Sequence, residues 1–161
     1  MLKPKPIEPG AIAPDFSYTT AEGETLSTVD LRGHPYLVYF YPKDDTPGCT
    51  REACGFRDSY QVFRGAGIEI IGVSADGEES HQKFRKKHQL PFPLSADTAK
   101  TVCRHFGVWG EKKFMGKTFE GVHRMSFLIG PDGRVAKTYQ KVKPAEHAGE
   151  VLDDVSSLFS S

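Results

Sequence analysis

The chain has 161 residues, 38 % of them hydrophobic, with 16 glycines and 11 prolines. This globular composition excludes collagen, a disordered chain and a disulfide-stapled miniprotein, and the length suits a single domain over residues 1–161 that buries roughly 70 % of its unfolded surface. Lys plus Arg and Asp plus Glu each number 21, so the net charge is zero and neither nucleic acid nor an anionic membrane is favoured as a partner.

The proline-rich first ten residues, MLKPKPIEPG, read as a surface arm; they carry charges where a signal peptide needs an apolar stretch. Phe16 to Thr20 and Thr25 to Ser27, separated by a polar loop holding Gly23, predict a small hairpin. Leu37 to Tyr41 is an apolar run closed by Pro42 and predicts a buried central strand. After Thr46-Pro47-Gly48-Cys49, apolar residues at 53, 56, 60 and 63 predict a helix ending near Gly65 and Gly67. Ile68 to Val73 predicts a second buried strand, residues 78–89 a charged helix, and Pro93 to Ser95 a short strand.

Thr98 to Phe106 reads as helical, with Val102, Cys103 and Phe106 on one side. Residues 107–121 hold four glycines and no sustained period, so a long loop is expected. Met125 to Ile129 and Val135 to Tyr139 flank Gly130-Pro131-Asp132-Gly133 and predict antiparallel neighbours. Ala148, Val151, Leu152, Val155, Leu158 and Phe159 define one face of a closing helix. The order predicts an α/β fold: a mixed central sheet with helices on both faces. The longest uncharged apolar run, Tyr36 to Tyr41, is far too short to span a bilayer. The expected location is cytoplasmic and the expected state monomeric.

Chemistry concentrates between Tyr39 and Cys54. Thr46 followed by Pro47 matches a helix N-cap and first helical position, which puts Cys49 in the first turn beside free backbone N–H groups and the positive dipole end. Such surroundings stabilise a thiolate, the nucleophilic form of cysteine; the plainer reading is a small buried hydrophobe. Cys54 follows five residues later, and in an intact helix the two Cα atoms lie roughly 8 to 9 Å apart. A disulfide wants about 4.4 to 6.8 Å, so a 49–54 bridge requires the helix start to unwind. Cys54 shares its face with Arg57, Asp58 and Gln61, nearer solvent than the apolar stripe.

Three other chemistries compete. Zinc held by Cys49, Cys54, Cys103 and His105 is disfavoured, because residues 103 and 105 diverge on a helix. A cysteine hydrolase needs a partner among the six scattered histidines, and no hydrolase signature surrounds Cys49. A dithiol reductase of the thioredoxin type wants Cys-x-x-Cys, two residues fewer than the spacing here. A binding module switched by the same two thiols is a further alternative, separated from an enzyme by catalytic turnover with a reductant.

Pro42-Lys-Asp-Asp-Thr46-Pro-Gly-Cys49, placed directly after an apolar strand, resembles the active-site signature of the peroxiredoxins. The Cys-x4-Cys continuation resembles the peroxiredoxin Q, or bacterioferritin comigratory protein, subfamily. Ala13-Pro-Asp-Phe16, Gly107-Val-Trp-Gly-Glu-Lys-Lys113 and Arg124-Met-Ser-Phe-Leu-Ile-Gly-Pro-Asp-Gly133 extend the resemblance over nearly the whole chain. It implies a thioredoxin-like fold with an N-terminal hairpin extension and no metal or organic cofactor. Cys49 would be the peroxidatic cysteine, reducing hydrogen peroxide or organic hydroperoxides and becoming a sulfenic acid. Cys54 would resolve it as an intramolecular disulfide, recycled by a thioredoxin-like or glutaredoxin-like dithiol.

By the same resemblance Arg124 would favour the thiolate and hold the reacting oxygens, although a strand-end ion pair explains it equally simply. Thr46 would add a hydroxyl directed at sulfur or peroxide, and Pro42 would close the pocket. Cys103 has no counterpart in this scheme and reads as a buried, inert thiol. Met125 and Ser126 stand where small polar residues are expected. Trp109, Phe114 and Met115 are candidates for an apolar rim selecting organic hydroperoxides, or for simple packing.

Overall fold

A computed structural model describes residues 2–159. The elements in chain order are β1 (Ser17–Thr19), β2 (Thr25–Ser27), a 3-10 turn (Thr28–Leu31), β3 (Tyr36–Phe40), α1 (Pro47–Gly65), β4 (Glu69–Ser74) and α2 (Glu78–His88). They continue with β5 (Leu94–Ala96), α3 (Thr101–His105), β6 (Trp109–Phe114), β7 (Lys117–Val122), β8 (Met125–Ile129), β9 (Val135–Tyr139) and α4 (His147–Phe159).

Seven strands form one mixed sheet in the order β2-β1-β5-β4-β3-β8-β9. β3, β4 and β5 run parallel, joined by crossovers through α1 and α2, while β1 on one flank and β8 and β9 on the other run antiparallel to their neighbours. Every residue of β3 and β8 is buried, because both faces of the sheet are covered and a two-sided strand has no polar face. Alternation along β3 divides the core: Leu37 and Tyr39 join Phe56, Phe63 and Val151 beneath α1 and α4, while Val38 and Phe40 join Phe106, Phe127 and Cys103 on the opposite face. Among the described residues no helix is long and apolar enough to cross a membrane.

Two expected elements are corrected. The expected loop 107–121 contains the hairpin of β6 and β7, paired from Trp109 with Val122 to Phe114 with Lys117. Its turn is Met115-Gly116, both with positive φ (50° and 78°), the two-residue geometry that matches the twist of a tight hairpin. Half of the hairpin's strand residues are exposed and its buried ones do not alternate, so no alternation of apolar and polar residues marks it in the sequence. The proline-rich arm lies alongside it, with the Glu111 amide donating to Leu2 O (2.8 Å) and the Lys5 amide to Gly107 O (3.0 Å). That approach needs glycine: a Cβ at Gly107 would stand 2.0 Å from Lys5 O, on a residue with φ +78°.

The helix expected from Thr98 begins only at Thr101. Lys100 turns left-handed (φ 61°), and the Asp97 carboxylate accepts from the amides of Val102 (3.1 Å) and Cys103 (2.7 Å), closing the first turn from outside.

Candidate active site

Cys49 lies beyond the carboxyl end of β3, where α1 starts, the usual location of a site in an open α/β sheet. Thr46 is the N-cap by backbone geometry (φ −87°, ψ 155°), with Pro47 first in the helix. The Thr50 amide makes the first helical bond, to Thr46 O (2.8 Å), so the amides of Gly48 and Cys49 have no acceptor within the helix. The expected side-chain cap is absent. Thr46 Oγ1 instead donates to the Lys43 carbonyl (3.0 Å), which leaves the hydroxyl's lone pairs free to accept a proton donor.

Arg124 reaches this helix start through the sheet. β3 and β8 pair antiparallel with Phe40 opposite Met125, so the residue before Met125 falls at the end of the sheet where α1 begins. Arg124 Nη2 donates to Cys49 Sγ (3.2 Å), and Nη1 donates to Glu52 Oε1 (2.7 Å). One planar guanidinium thus bridges two groups three residues apart on one face of α1. Gly48 makes room for it: a Cβ there would lie 3.2 Å from Nη2.

Burial sets the electrostatics. It pushes the Glu52 carboxyl up to about 7, against the pull of Arg124. Burial pulls the Arg124 guanidinium down, but Glu52 and the Cys49 sulfur beside it outweigh this and the net direction is up. Glu52 Oε2 and the Tyr39 hydroxyl are buried with no hydrogen-bond partner among the described residues. Burial, then Glu52 and Cys49, raise the Tyr39 phenol well above its ordinary value, so it is neutral. From β6, Lys112 donates to Val122 O (2.8 Å), and its ammonium is lowered first by burial and then by Arg124.

The structure therefore brings Cys49, Thr46 and Arg124 to one place, with Pro42 half-buried at the end of β3. Cys54 is a free, half-buried thiol one and a half turns along α1. Cys103 is free and buried in the core cluster on the other face of the sheet. Burial and then Asp97 push its thiol well up. The sheet between Cys49 and Cys103 rules out zinc shared by all three cysteines.

Of the two readings of Trp109, Phe114 and Met115, rim or packing, the structure favours packing for Trp109 and joins the three in no common rim. Trp109 and Phe114 are at opposite ends of β6, roughly 17 Å apart, and Phe114 and Met115 project from the turn, 67 % and 85 % exposed. Trp109 serves packing, donating to Glu120 (2.7 Å) beneath Lys100 and Arg104.

Glu52 and His147 escaped the sequence reading. The signal for Glu52 was its i+3 spacing from Cys49; His147 carried none. His147 Nε2 meets Ser126 Oγ (2.7 Å) and Nδ1 meets Glu150 (2.9 Å). Burial pulls its imidazole below the ordinary value and outweighs the opposing pull of Glu150 and Asp154, with Arg124 adding slightly to the fall. A neutral ring donating to Glu150 and accepting from Ser126 satisfies both contacts. This Ser-His-Glu array is no hydrolase site, because Ser126 is fully buried. No histidine hydrogen-bonds Cys49 among the described residues, where its partner is Arg124.

The AhpC/TSA family matches residues 9–138. The peroxiredoxin Bcp of Escherichia coli (strain K12) is 45 % identical over 148 residues, 92 % of this chain and 95 % of that protein. The peroxiredoxin Bcp of Bacillus subtilis (strain 168) is 45 % identical over 152 residues, 94 % of this chain and 97 % of that protein. A structure of the Xanthomonas campestris bacterioferritin comigratory protein, solved to study its alkyl peroxide reduction activity, superposes with a TM-score of 0.86 at 36 % identity, covering 99 % of this chain and all of that one.

Proposed function

The chain belongs to the AhpC/TSA family and, within it, to the Bcp or peroxiredoxin Q group, which makes it a thioredoxin-fold thiol peroxidase, and we propose that Cys49 is its peroxidatic residue and Cys54 its resolving one. The observation that carries this reading is the 3.2 Å contact from Arg124 Nη2 to Cys49 Sγ in the first turn of α1.

The thiolate of Cys49 attacks the terminal oxygen of a hydroperoxide. The O–O bond breaks, sulfur is oxidised to the sulfenic acid, and the departing hydroxide or alkoxide takes a proton to leave as water or an alcohol. Arg124 stabilises the negative charge carried by sulfur and the separating oxygens. Thr46 Oγ1, its own hydrogen committed to Lys43 O, accepts the peroxide's O–H, and Pro42 closes the pocket wall. The Cys54 thiol then displaces hydroxide from the sulfenic sulfur, releasing water and forming the 49–54 disulfide once the start of α1 unwinds. A thioredoxin-like or glutaredoxin-like dithiol reduces that bond and is itself oxidised. The alkyl peroxide activity of the Xanthomonas protein supports organic hydroperoxides beside hydrogen peroxide as substrates. The working unit is a cytoplasmic monomer of one domain.

One equivalent of hydrogen peroxide added to the reduced protein should yield a 49–54 disulfide by peptide mass spectrometry, and Cys54→Ser should stop at the Cys49 sulfenic acid. A 49–103 bridge in either protein would overturn the assignment of Cys54. Gly48→Ala, by pushing Arg124 off its 3.2 Å approach, should slow the oxidation of Cys49 by roughly tenfold. Stopped-flow fluorescence of reduced variant and wild type checks this.

A further inference from the structure

The loop that presents Thr46 and Cys49 is bonded from α2 at both of its aspartates. Asp44 accepts from the Tyr41 hydroxyl (2.6 Å) on Oδ1, and from Ser80 Oγ (2.7 Å) and His81 Nδ1 (2.7 Å) on Oδ2. Its own amide donates to Asp76 Oδ2 (2.8 Å). Asp45, a non-glycine residue with φ 58°, is gripped by Lys87 Nζ (2.7 Å) and His88 Nε2 (2.9 Å). A left-handed residue directly before the N-cap persists only where surrounding contacts over-determine it.

His81 is the buried member of this set, its side chain 1 % exposed against 4 % for Asp44. Both ring nitrogens face acceptors: Nδ1 the Asp44 carboxylate, Nε2 the Ser95 carbonyl (3.1 Å). Only an imidazolium donates to both, whereas a neutral ring would turn a lone pair on one of them. Burial pulls His81 down, but the bonded Asp44 outweighs it and the net direction is up. The groups facing the pair are Tyr41 at the end of β3, Asp76 from the loop before α2, Ser95 of β5, and Ser80 and Arg85 on α2. Lys87 and His88 act one residue further along the loop, on Asp45.

We infer that His81 is a positioning residue: as an imidazolium paired with Asp44 it clamps the loop 42–46 onto α2 and so sets how readily the start of α1 unwinds for Cys54 to reach Cys49. The role in resolution rests on the disulfide reading above; the clamp itself does not. Because the folded pair holds the imidazole proton more tightly than an unfolded chain does, the clamp is complete below about pH 6.5 and loses its ionic part as pH rises through the higher folded value. The helix start therefore opens more easily, and resolution runs faster, on the alkaline side.

The test begins with the reduced wild-type protein, with no peroxide present. Long-range 1H–15N spectra should show both His81 nitrogens protonated at pH 6.5. Hydrogen-exchange protection of the Thr50 to Cys54 amides, corrected for intrinsic exchange, should fall about tenfold across the His81 titration while the amides of α4 stay level. In His81→Gln that fall should vanish, with low protection at every pH, and the disulfide-forming phase after peroxide should quicken by a similar factor below pH 6.5, keeping only the pH dependence that ionisation of the attacking thiol imposes. Should that variant not fold, Asp44→Asn and the wild-type titration serve instead. A neutral His81 at pH 6.5, or protection that ignores its titration, would overturn the clamp. Failure of Cys49 to oxidise would overturn the disulfide reading and leave these exchange results standing.

Discussion

Arg124→Met should slow the reaction of Cys49 with hydrogen peroxide by about 10² to 10³-fold, the loss expected when a preorganised donor is removed from a site of developing negative charge. Cys49→Ser provides the baseline at which no rapid phase remains. The guanidinium is the hydrogen-bond partner of Sγ among the described residues, and its other arm is fixed by Glu52 at 2.7 Å, so its position is set before any peroxide arrives. Arg124→Lys should recover little. An ammonium is a point charge that cannot hold the 3.2 Å and 2.7 Å contacts in one plane as the fork does. Stopped-flow mixing of the reduced proteins with peroxide measures all three variants, and a rate for Arg124→Met within threefold of wild type would remove Arg124 from the chemistry.

The second large effect is on stability. Glu52 is fully buried, one oxygen on Arg124 and the other without a partner among the described residues, and burial pushes its carboxyl up to about 7. An unfolded chain releases that proton near 4.3. Between these values the folded state binds more protons than the unfolded one, so the contribution of Glu52 makes stability fall as pH rises through this window and level off above it. The full fall is about 4 kcal/mol, of which about 3 kcal/mol comes between pH 5 and pH 8. Glu52→Gln cannot ionise and keeps an oxygen for Arg124. It should match or trail wild type at pH 5 and gain on it by about the smaller of these amounts by pH 8 in urea titrations. Every other titrating group is common to both proteins, so parallel profiles would show that Glu52 is ionised throughout.

Arg124 and Glu52 also show why the site was only partly legible beforehand. Everything local to residues 36–65 could be read from the chain: the apolar run of β3, the proline closing it, the Thr-Pro helix start, the 3-4-3 spacing of α1 and hence the place of Cys49 in the first turn. Each depends on neighbours within a turn or two, where backbone propensity and side-chain periodicity act directly. The two-sided burial of β3 and the antiparallel pair around Gly130 to Gly133 were legible for the same reason. The hairpin at 109–122 was not, because its strands are only partly buried and show no alternating burial; its turn residues Met115 and Gly116 are a weak signal without flanking alternation. The late start of α3 depends on Asp97 capping across a turn, which competes with a periodicity that ran smoothly from Thr98.

By itself, then, the sequence determined the elements of the main sheet and the helices beside it, which thiol sits at a helix start and which family motif surrounds it. The tertiary structure decided how that thiol meets Arg124, which the family resemblance alone had set beside it. Arg124 is 75 positions from Cys49 and meets it only because β3 and β8 pair in a register that ends both at the same edge. His81 is 37 positions from Asp44 and meets it only because the crossover through β4 lays α2 beside the loop. Propensities act over a few residues, whereas strand register and crossover geometry are fixed by burying the whole sheet. Contacts between distant charged groups follow from that burial and leave no mark on the chain near either partner.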